Sequence, residues 1–271
     1  MRVPALSLGA LLALGIVSST AEASIVDDLA NLTIIEDFQF DDPAATSYDA
    51  AANSANPGNL LSTDTTPADL AGVATDGAGA LDASLKNNTD FGTTLVDTAD
   101  LTTGRVFGVM EATWDFQSVL DPSENEELRV TLISSGTAGV LAEWEIQRED
   151  DDTLTILGNT VGGDDLPAVL LNGGSLRQVE TFVGVVEADL DADTYTVHFS
   201  TDGGSTFTTL GTGATDPTRN LDKLRVVLNN DLSGDSVLID RVYLGVIPEP
   251  SSLVGLSIAC LALASRGRSR R

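Results

Sequence analysis

The chain has 271 residues, in which 41 acidic side chains outnumber 14 basic ones. This negative charge disfavours nucleic acids and anionic lipids as partners, because an acidic surface repels both at long range. The chain contains one cysteine, Cys260, and one histidine, His198, which excludes internal disulfides, thiolate metal sites and zinc sites that require two imidazoles.

The N-terminus predicts a secretory signal peptide over residues 1–23. Arg2 supplies a positive charge, and residues 5–17 form an apolar run of signal-core length. Ala21 and Ala23 offer the small side chains that cleavage requires, so the mature chain would begin at Ser24. A membrane anchor or core helix is the alternative, but the run is too short to cross about 30 Å of hydrocarbon.

Residues 24–246 predict a single all-β domain. Residues 41–104 are rich in Ala, Asn, Thr, Asp and Gly, which indicates long loops with short strands near 60, 81–85 and 91–96. From residue 105 onward, apolar and polar residues alternate between Gly, Asp and Asn turns. The predicted strands are 106–116, 128–133, 141–147, 153–157, 178–186, 194–200, 207–210, 224–228 and 237–245.

This succession of short strands favours an antiparallel β-sandwich of the jelly-roll, concanavalin-like type. In such a fold the first and last strands often lie side by side, and residues 34–40 and 237–245 are the candidates. Trp114 and Trp144 alternate in phase with apolar neighbours, which predicts core packing for both rather than sugar stacking.

Glu143 and Glu145 share the outward face of one predicted strand. Alternate residues on a strand meet the separation of the two carboxylates in a glycosidase. Such pairs also arise by chance in a chain this acidic, so a solvated face is favoured over an active site. His198 shares the polar face of its strand with Thr194 and Thr196, and we likewise expect it to be solvated rather than catalytic.

A turn motif follows at residues 200–207. Ser200, Asp202, Gly204 and Phe207 match the Asp-box pattern, and the segment resembles the boxes of sialidase-like propellers. In those families the box is structural: the aspartate accepts backbone N–H groups, the glycines allow positive φ and the aromatic ring packs beneath. A single box predicts a hairpin clamp rather than an enzyme.

Calcium is the metal that these acidic residues could hold, because it takes oxygen ligands only. Acidic residues recur at 187, 189, 191 and 193, like the front of a calcium loop, but the glycine and closing glutamate of an EF-hand are missing. If the terminal strands pair, Glu36 and Asp240 could meet at one edge. Their segments resemble the ends of jelly-roll carbohydrate-binding modules, which implies a structural Ca²⁺ there; pairing of Asp240 with Arg241 is the alternative.

The C-terminus carries three unlike elements in a fixed order. Pro248, Glu249 and Pro250 end the folded domain, residues 253–264 are apolar, and four arginines lie between 266 and 271. Residues 247–271 resemble the PEP-CTERM sorting signal, including its short transmembrane helix. The resemblance implies recognition of the Pro-Glu-Pro motif by an exosortase; a permanent single-pass anchor is the alternative. Without the signal peptide and the segment after Pro250, the remaining residues 24–250 hold 40 acidic and 9 basic residues.

The sequence therefore predicts a non-enzymatic exported protein that uses the secretion machinery, is tethered transiently to the inner membrane and then reaches the cell surface or extracellular matrix. Its acidic surface would bind calcium or glycan, with exopolysaccharide as a candidate partner and nucleic acid excluded. The alternative is a glycan-active hydrolase or lyase that uses the outward carboxylates Glu143 and Glu145.

Overall fold

The architecture comes from a computed structural model of the chain. It describes residues 24–61, 73–84, 89–94, 101–115, 127–134, 139–148, 154–171, 178–229 and 236–247. The predicted signal peptide, the Pro-Glu-Pro motif and the apolar tail lie outside these residues. Within the described ranges, no helix has both the length and the apolar character needed to cross a membrane.

One short helix precedes a long series of strands. The helix is α1 (Ile25–Ala30), and a single 3₁₀ turn spans Tyr48–Ala50. The strands, numbered in chain order, are β1 (Thr33–Phe38), β2 (Ala74–Thr75), β3 (Leu81–Asp82), β4 (Thr89–Thr94), β5 (Arg105–Asp115), β6 (Glu127–Ser134), β7 (Gly139–Arg148), β8 (Leu154–Asn159), β9 (Leu166–Leu170), β10 (Gln178–Asp189), β11 (Thr194–Ser200), β12 (Thr208–Ala214), β13 (Lys223–Asn229) and β14 (Ser236–Ile247).

The strands form two antiparallel sheets. Sheet A has the order β12-β11-β10-β5-β14-β3-β2, and β1 pairs with β14 beside β3. Sheet B has the order β4-β13-β6-β7-β8-β9. The predicted all-β antiparallel sandwich is confirmed, and so is the pairing of its first and last strands: Ile34 lies opposite Gly245 and Phe38 opposite Val242.

The main core fills the space between the two sheets. Trp144 of β7 packs edge-on against Phe182 of β10, with ring centroids 5.5 Å apart, and Trp114 of β5 lies 4.9 Å from the same ring. Both tryptophans are fully buried, as their alternation predicted. Gly184 makes this packing possible, because a Cβ at that position would lie 2.6 Å from the Trp144 ring.

A second, smaller apolar cluster lies on the outer face of sheet A. Phe107, Val185 and Tyr243 form its floor, and Ile25 and Leu29 of α1 cover it. The helix begins at the Ser24 cap, whose Oγ accepts the N–H of Asp27. Six residues are too few to show helical periodicity, so the sequence pattern gave no signal for α1.

The remaining differences from the predicted elements have local causes. No strand forms at Leu60, and the predicted segments 81–85 and 91–96 correspond to β3 and β4. Strand β9 was not predicted because Pro167 interrupts its pattern. A proline is nevertheless acceptable there, since β9 is the last described strand at one edge of sheet B and that edge needs no further N–H donors.

Candidate ligand-binding cleft

A cleft of about 620 Å³ lies on the outer face of sheet A, beside helix α1. The helix covers the apolar part of this face and leaves the polar part, on β10, β11 and β12, open. The cleft is lined by residues of α1 and its cap and by residues of four strands of sheet A. They are Ser24, Ile25, Asp28, Arg105, Glu187, Asp189, Thr196, His198, Thr209 and Thr212.

Strand register brings these polar side chains into two rows across the sheet. Glu187 lies opposite Thr196, which lies opposite Thr212; the Thr196 and Thr212 hydroxyl oxygens are 2.8 Å apart. His198 lies opposite Thr209 in the next row. Because strand side chains alternate, the intervening residues of β11, such as Tyr195, point into the main core.

Arg105 joins the helix to the sheet at the edge of the cleft. Its Nε donates to Glu187 Oε1 and its Nη2 donates to Asp28 Oδ2, both at 2.6 Å. Burial alone would lower the pKa of Arg105, but the hydrogen bonds and charges of the two carboxylates raise it above its ordinary value. Arg105 therefore stays charged and fixes α1 in place over the sheet.

His198 is buried, with only 8% of its surface exposed, so the expectation of a solvated histidine is wrong. Its Nδ1 lies 3.0 Å from the Thr209 hydroxyl. Its Nε2 lies 3.5 Å from Glu187 Oε2, too far for a good hydrogen bond, and finds no other partner within the described part of the chain. The imidazole ring lines the cleft, but Nε2 itself is enclosed beside Glu187 and has almost no exposed surface.

The carboxylate of Glu187 is held in its charged form. Burial would raise its pKa, but His198 and the hydrogen-bonded Arg105 outweigh burial and lower the pKa below its ordinary value. A carboxylate with a lowered pKa is a poor proton donor at neutral pH. Glu187 is therefore suited to binding a donor or a cation rather than to general acid catalysis.

The acidic run that resembled a calcium loop is divided among separate tasks. Glu187 binds Arg105, Asp189 accepts the N–H groups of Asp191 and Ala192, and Asp191 accepts the N–H of Gly104 at 2.7 Å. Within the described ranges, no three histidine, cysteine or acidic residues come together as a metal site.

The predicted meeting of Glu36 and Asp240 does not form. Glu36 lies opposite Leu244 in the β1–β14 pair, whereas Asp240 is exposed at the irregularity between Ile239 and Arg241. The antiparallel register thus places the two acids at different heights along β14. Arg241 does not pair with Asp240 either.

Arg241 instead binds the neighbour of Glu36 on β1. Its Nε donates to Asp37 Oδ1 at 2.7 Å, and its guanidinium lies 4.3 Å from the centre of the Tyr243 ring. Burial raises the pKa of Asp37, but Arg241 and two further donors outweigh it and lower the pKa below its ordinary value. Asp37 is therefore neutralised by a cation of the chain itself.

Asparagine amides enclose Glu36, which is 1% exposed. Asn53, Asn56 and Asn59 donate to its carboxylate at 2.5, 3.3 and 2.8 Å. The orientation of Asn53 is fixed, because its Oδ1 accepts the N–H groups of Asp37 and Asn56. Glu36 therefore faces N–H donors, not the oxygen ligands that calcium needs, and burial keeps its pKa above the ordinary value.

Glu143 and Glu145 lie together on the outer face of sheet B. These two acids and their donors Thr131 and Asn159 are called the sheet B cluster. The expectation of a solvated face is wrong, because the two side chains are only 4% and 3% exposed. Thr131 Oγ1 donates to Glu143 at 2.8 Å, and Asn159 Nδ2 donates to both acids, at 3.3 and 3.0 Å. Burial raises the pKa of Glu143 above its ordinary value.

The Asp-box residues form the turn between β11 and β12. Asp202 accepts the Ser200 hydroxyl at 2.6 Å and both the N–H and the hydroxyl of Thr206, at 2.9 and 2.7 Å. Gly204 has a φ of 81°, and the Phe207 ring packs with the smaller apolar cluster of sheet A. These hydrogen bonds lower the pKa of Asp202 to about 2.

Sequence reasoning missed most of the cleft. It identified His198 and the acid at 187 but gave no role to Asp28, Arg105 or the threonines of β12. The available signal was the polar face of β11, where Thr196 and His198 alternate with core residues. Arg105 and Glu187 are 82 positions apart, so only strand pairing reveals that they meet.

Comparisons with known proteins place the chain by fold alone. No family model matches it, and no curated protein does. The CBM2 module of Lactobacillus casei BL23 phage J-1 evolved Dit is similar in structure, with 12% identity, 81% of this chain and 98% of that chain covered, and a TM-score of 0.50.

Two other solved structures have lower TM-scores. Lectin II from Ulex europaeus has 12% identity over 77% of this chain and 97% of its own, with a TM-score of 0.43. The exoplasmic/lumenal domain of VIP36, in a metal-free form, has 7% identity over 76% and 92%, with a TM-score of 0.47. The CBM2 module supports the β-sandwich fold, and the lower scores of the other two add nothing to it.

Proposed function

We propose that this chain is an exported, non-enzymatic glycan-binding β-sandwich and that the cleft on sheet A is its binding site. The observation that carries the proposal is the polar lining of a cleft of about 620 Å³, to which three threonine hydroxyls, Glu187 and the His198 ring contribute. A fold shared with a CBM2 module is compatible with this role.

The cleft has the size and chemistry for sugar units. Its volume falls within the range of about 300–1,000 Å³ that is common for ligand pockets. Hydroxyls of Thr196, Thr209 and Thr212 both donate and accept, whereas Glu187 and His198 supply further acceptors or donors. A ligand covered with hydroxyl groups can satisfy such a lining, and an apolar ligand would leave it unsatisfied.

The test is a calorimetric titration of the secreted protein against neutral and charged polysaccharides. We expect saturable binding to at least one of them. Replacing Thr212 by Val removes one hydroxyl from the cleft and should weaken that binding several-fold. Thr208→Val, on the same strand but outside the cleft lining, is the matched control and should bind like the wild type. Flat titrations across the whole panel would contradict the proposal.

A glycan-active hydrolase or lyase is the second candidate, and one observation favours it. Burial raises the pKa of Glu143, as a general acid requires, and Glu145 lies beside it. Against it, both acids are buried and share the Asn159 donor, so neither reaches a substrate in this arrangement. Turnover that Glu143→Gln or Glu145→Gln abolishes would support the enzyme; binding without turnover supports the module.

Sorting through the C-terminal segment belongs to the same proposal. Strand β14 ends at Ile247, directly before Pro248, so the Pro-Glu-Pro motif would follow the last strand without a linker. An exosortase would then release the domain from the inner membrane toward the cell surface or matrix. The intact mass of the secreted product tests this: retention of residues 251–271 would contradict processing and support a permanent anchor.

Export itself rests on the N-terminal segment. The predicted cleavage position falls immediately before Ser24, which is the cap of α1 and the first residue of the cleft lining. Removal of residues 1–23 would therefore leave the described domain intact. N-terminal sequencing of the secreted protein should start at Ser24, and a start more than a few residues later would remove α1 and contradict the proposed site.

A further inference from the structure

We propose that a second pocket on the outer face of sheet A is a subsite for a 6-deoxy sugar, in which a methyl group replaces the usual hydroxymethyl group. This inference rests on the proposed glycan-binding function and adds a second specificity to it. It depends on the apolar walls of the second pocket and on two polar side chains, Glu111 and Tyr243, that line it.

The second pocket lies beside a different face of α1 and shares no lining residue with the cleft among the residues that the structure describes. Its volume of about 300 Å³ gives room for one sugar unit. The apolar walls come from Val26, Leu29 and Ala30 of α1, from Val183 of β10 and from Phe207 of the Asp-box turn. A group that enters this part of the pocket leaves water without gaining hydrogen bonds, so an apolar group is favoured there.

The polar part of the lining comes from two other strands, β5 and β14. Glu111 of β5 lies opposite Arg241 of β14, and Tyr243 is two residues further along the same strand. Because alternate residues of a strand share one face, the Glu111 carboxylate and the Tyr243 side chain line the second pocket together. The pocket therefore has polar groups on its β5–β14 side and apolar walls on its α1 and β10 sides.

Neither polar group is satisfied within the described part of the chain. The Tyr243 hydroxyl makes no hydrogen bond to the residues that the structure describes, although only 7% of Tyr243 is exposed. Glu111 Oε1 lies 3.8 Å from Arg241 Nη1, which is beyond hydrogen-bonding distance, and Arg241 already donates to Asp37 at 2.7 Å. The Glu111 side chain is 38% exposed, so a ligand in the pocket can reach it.

A 6-deoxy sugar such as rhamnose has the matching chemistry. Of its adjacent ring hydroxyls, one can donate to the Glu111 carboxylate while another bonds the Tyr243 hydroxyl, because a sugar hydroxyl both donates and accepts. Its C6 methyl is the apolar group that the walls of the second pocket accommodate. In the corresponding ordinary sugar, C6 carries a hydroxyl that would lose its water among these walls and find no partner.

The experiment compares two ligands that differ only at C6. The secreted protein, labelled with ¹⁵N, is titrated with methyl α-L-rhamnoside and with methyl α-L-mannoside, and NMR follows the backbone amide shifts. We expect the rhamnoside to bind at least about fivefold more tightly. The shifts should centre on Gly203 and Gly204, which line the second pocket, and should spare Thr196 and Thr212 of the cleft.

Two variants locate the subsite. Tyr243→Phe removes the hydroxyl but keeps the ring that packs in the smaller apolar cluster of sheet A, so amide dispersion like that of the wild type should show that it is folded. It should weaken rhamnoside binding about threefold or more, because one hydrogen bond is lost. Thr212→Val changes the cleft and should leave the rhamnoside affinity unchanged. The comparison of the two ligands on the wild type does not depend on either variant.

The outcomes separate this inference from the proposed function. Equal affinities for the two glycosides would overturn the selection at C6, and shifts at Thr196 and Thr212 instead of Gly203 and Gly204 would overturn the position of the subsite. An unchanged rhamnoside affinity of Tyr243→Phe would overturn the role of its hydroxyl. If the rhamnoside did not bind but polysaccharide binding depended on Thr212, the subsite alone would fall; if the polysaccharide panel failed as well, both proposals would fall.

Discussion

Two clusters of carboxylates lie on the outward faces of the two sheets, and they differ in what completes them. In the sheet B cluster, Glu143 and Glu145 receive hydrogen bonds from Thr131 and Asn159, and the acids are nearly inaccessible. In the cleft of sheet A, Glu187 is only partly buried, and the space beside it is open. The chain's own donors satisfy the carboxylates of the sheet B cluster, whereas the carboxylate in the cleft borders open space.

The difference shows that the number of acidic residues is a poor guide to function. Glu143 and Glu145 have the spacing of a catalytic pair, but the chain's own donors satisfy them, so their measurable role is structural. The cleft has fewer conspicuous residues, but its polar side chains line a volume that a ligand can fill. Three variants test this contrast, and two further measurements examine the Asp-box turn and the predicted calcium site.

The largest effect is expected from Asn159→Leu in the sheet B cluster. Two buried carboxylates would lose the amide that they share, which should lower the free energy of unfolding by about 3 kcal/mol, measured by urea denaturation. Gln39→Leu is the control: Gln39 is exposed and donates to Asp37, which keeps Arg241 and Ser54 as donors, so it should cost under about 1 kcal/mol. An equally small effect of Asn159→Leu would mean that water reaches the sheet B cluster.

In the cleft, Glu187→Gln should cost about 2 kcal/mol at pH 7, because Arg105 loses one of its two charged partners. The pKa of Glu187 is lowered in the folded protein, so its stabilising contribution is complete above the ordinary glutamate pKa of about 4.3 and is lost as the pH falls through the folded value. Urea titrations at pH 7 and pH 3 should show the difference between variant and wild type shrinking at the lower pH. A pH-independent cost would contradict the assignment.

Glu143→Gln should show the opposite pH dependence. Because burial raises the pKa of Glu143, wild-type stability is highest where the acid is protonated and declines as the pH rises through the folded value. Glutamine mimics the protonated acid, so at pH 3 the variant's free energy of unfolding should be lower than that of the wild type by under about 1 kcal/mol. Toward pH 7 the variant should become more stable relative to the wild type. The same urea titrations measure this pH dependence. If the stability of Glu143→Gln and of Glu187→Gln changed with pH in the same direction relative to the wild type, the contrast between the clusters would be contradicted.

A smaller effect is expected at the Asp-box turn, which lies outside both clusters. The pKa of Asp202 is lowered to about 2, so its hydrogen bonds persist until the pH falls from the ordinary aspartate range toward that value. Asp202→Asn should loosen the turn, and hydrogen exchange should become faster at the Thr206 amide while the cleft amide groups of β11 stay protected. Unchanged exchange at Thr206 would show that the clamp is redundant.

No effect is expected from metal removal. Glu36 is enclosed by asparagine N–H groups and Asp37 is bound to Arg241, so the predicted terminal-strand site offers calcium no open ligands. EDTA, or added calcium, should leave the melting temperature unchanged. A rise of several degrees with calcium would restore a metal site and show that the asparagine side chains reorient.

The sequence pattern predicted the strands well because alternation is a local property. Residues 194–200 were identified as a strand with Tyr195 inward and His198 outward, and both assignments hold. The burial of the outward faces could not be predicted in this way. Whether His198 is exposed depends on α1 and β12, which reach it only through the tertiary fold.

The candidate site was less predictable than the fold for the same reason. Arg105 and Glu187 each lie one residue outside a predicted strand, and their contact depends on the pairing of β5 with β10, which no turn motif connects. The amide environment of Glu36 comes from an irregular segment, in which Asn53, Asn56 and Asn59 belong to no helix or named strand. Side chains that long-range pairing assembles leave no pattern in a short stretch of sequence.

Strand β9 has a consequence for self-association of the chain. It is the last described strand at its edge of sheet B, and it exposes Val169 and Leu170, which are 41% and 50% accessible. An apolar edge of this kind invites another copy of the chain to add its own strand. Pro167 lacks the N–H that such an addition would need, so the residue that hides β9 from sequence analysis also limits polymerisation along this edge.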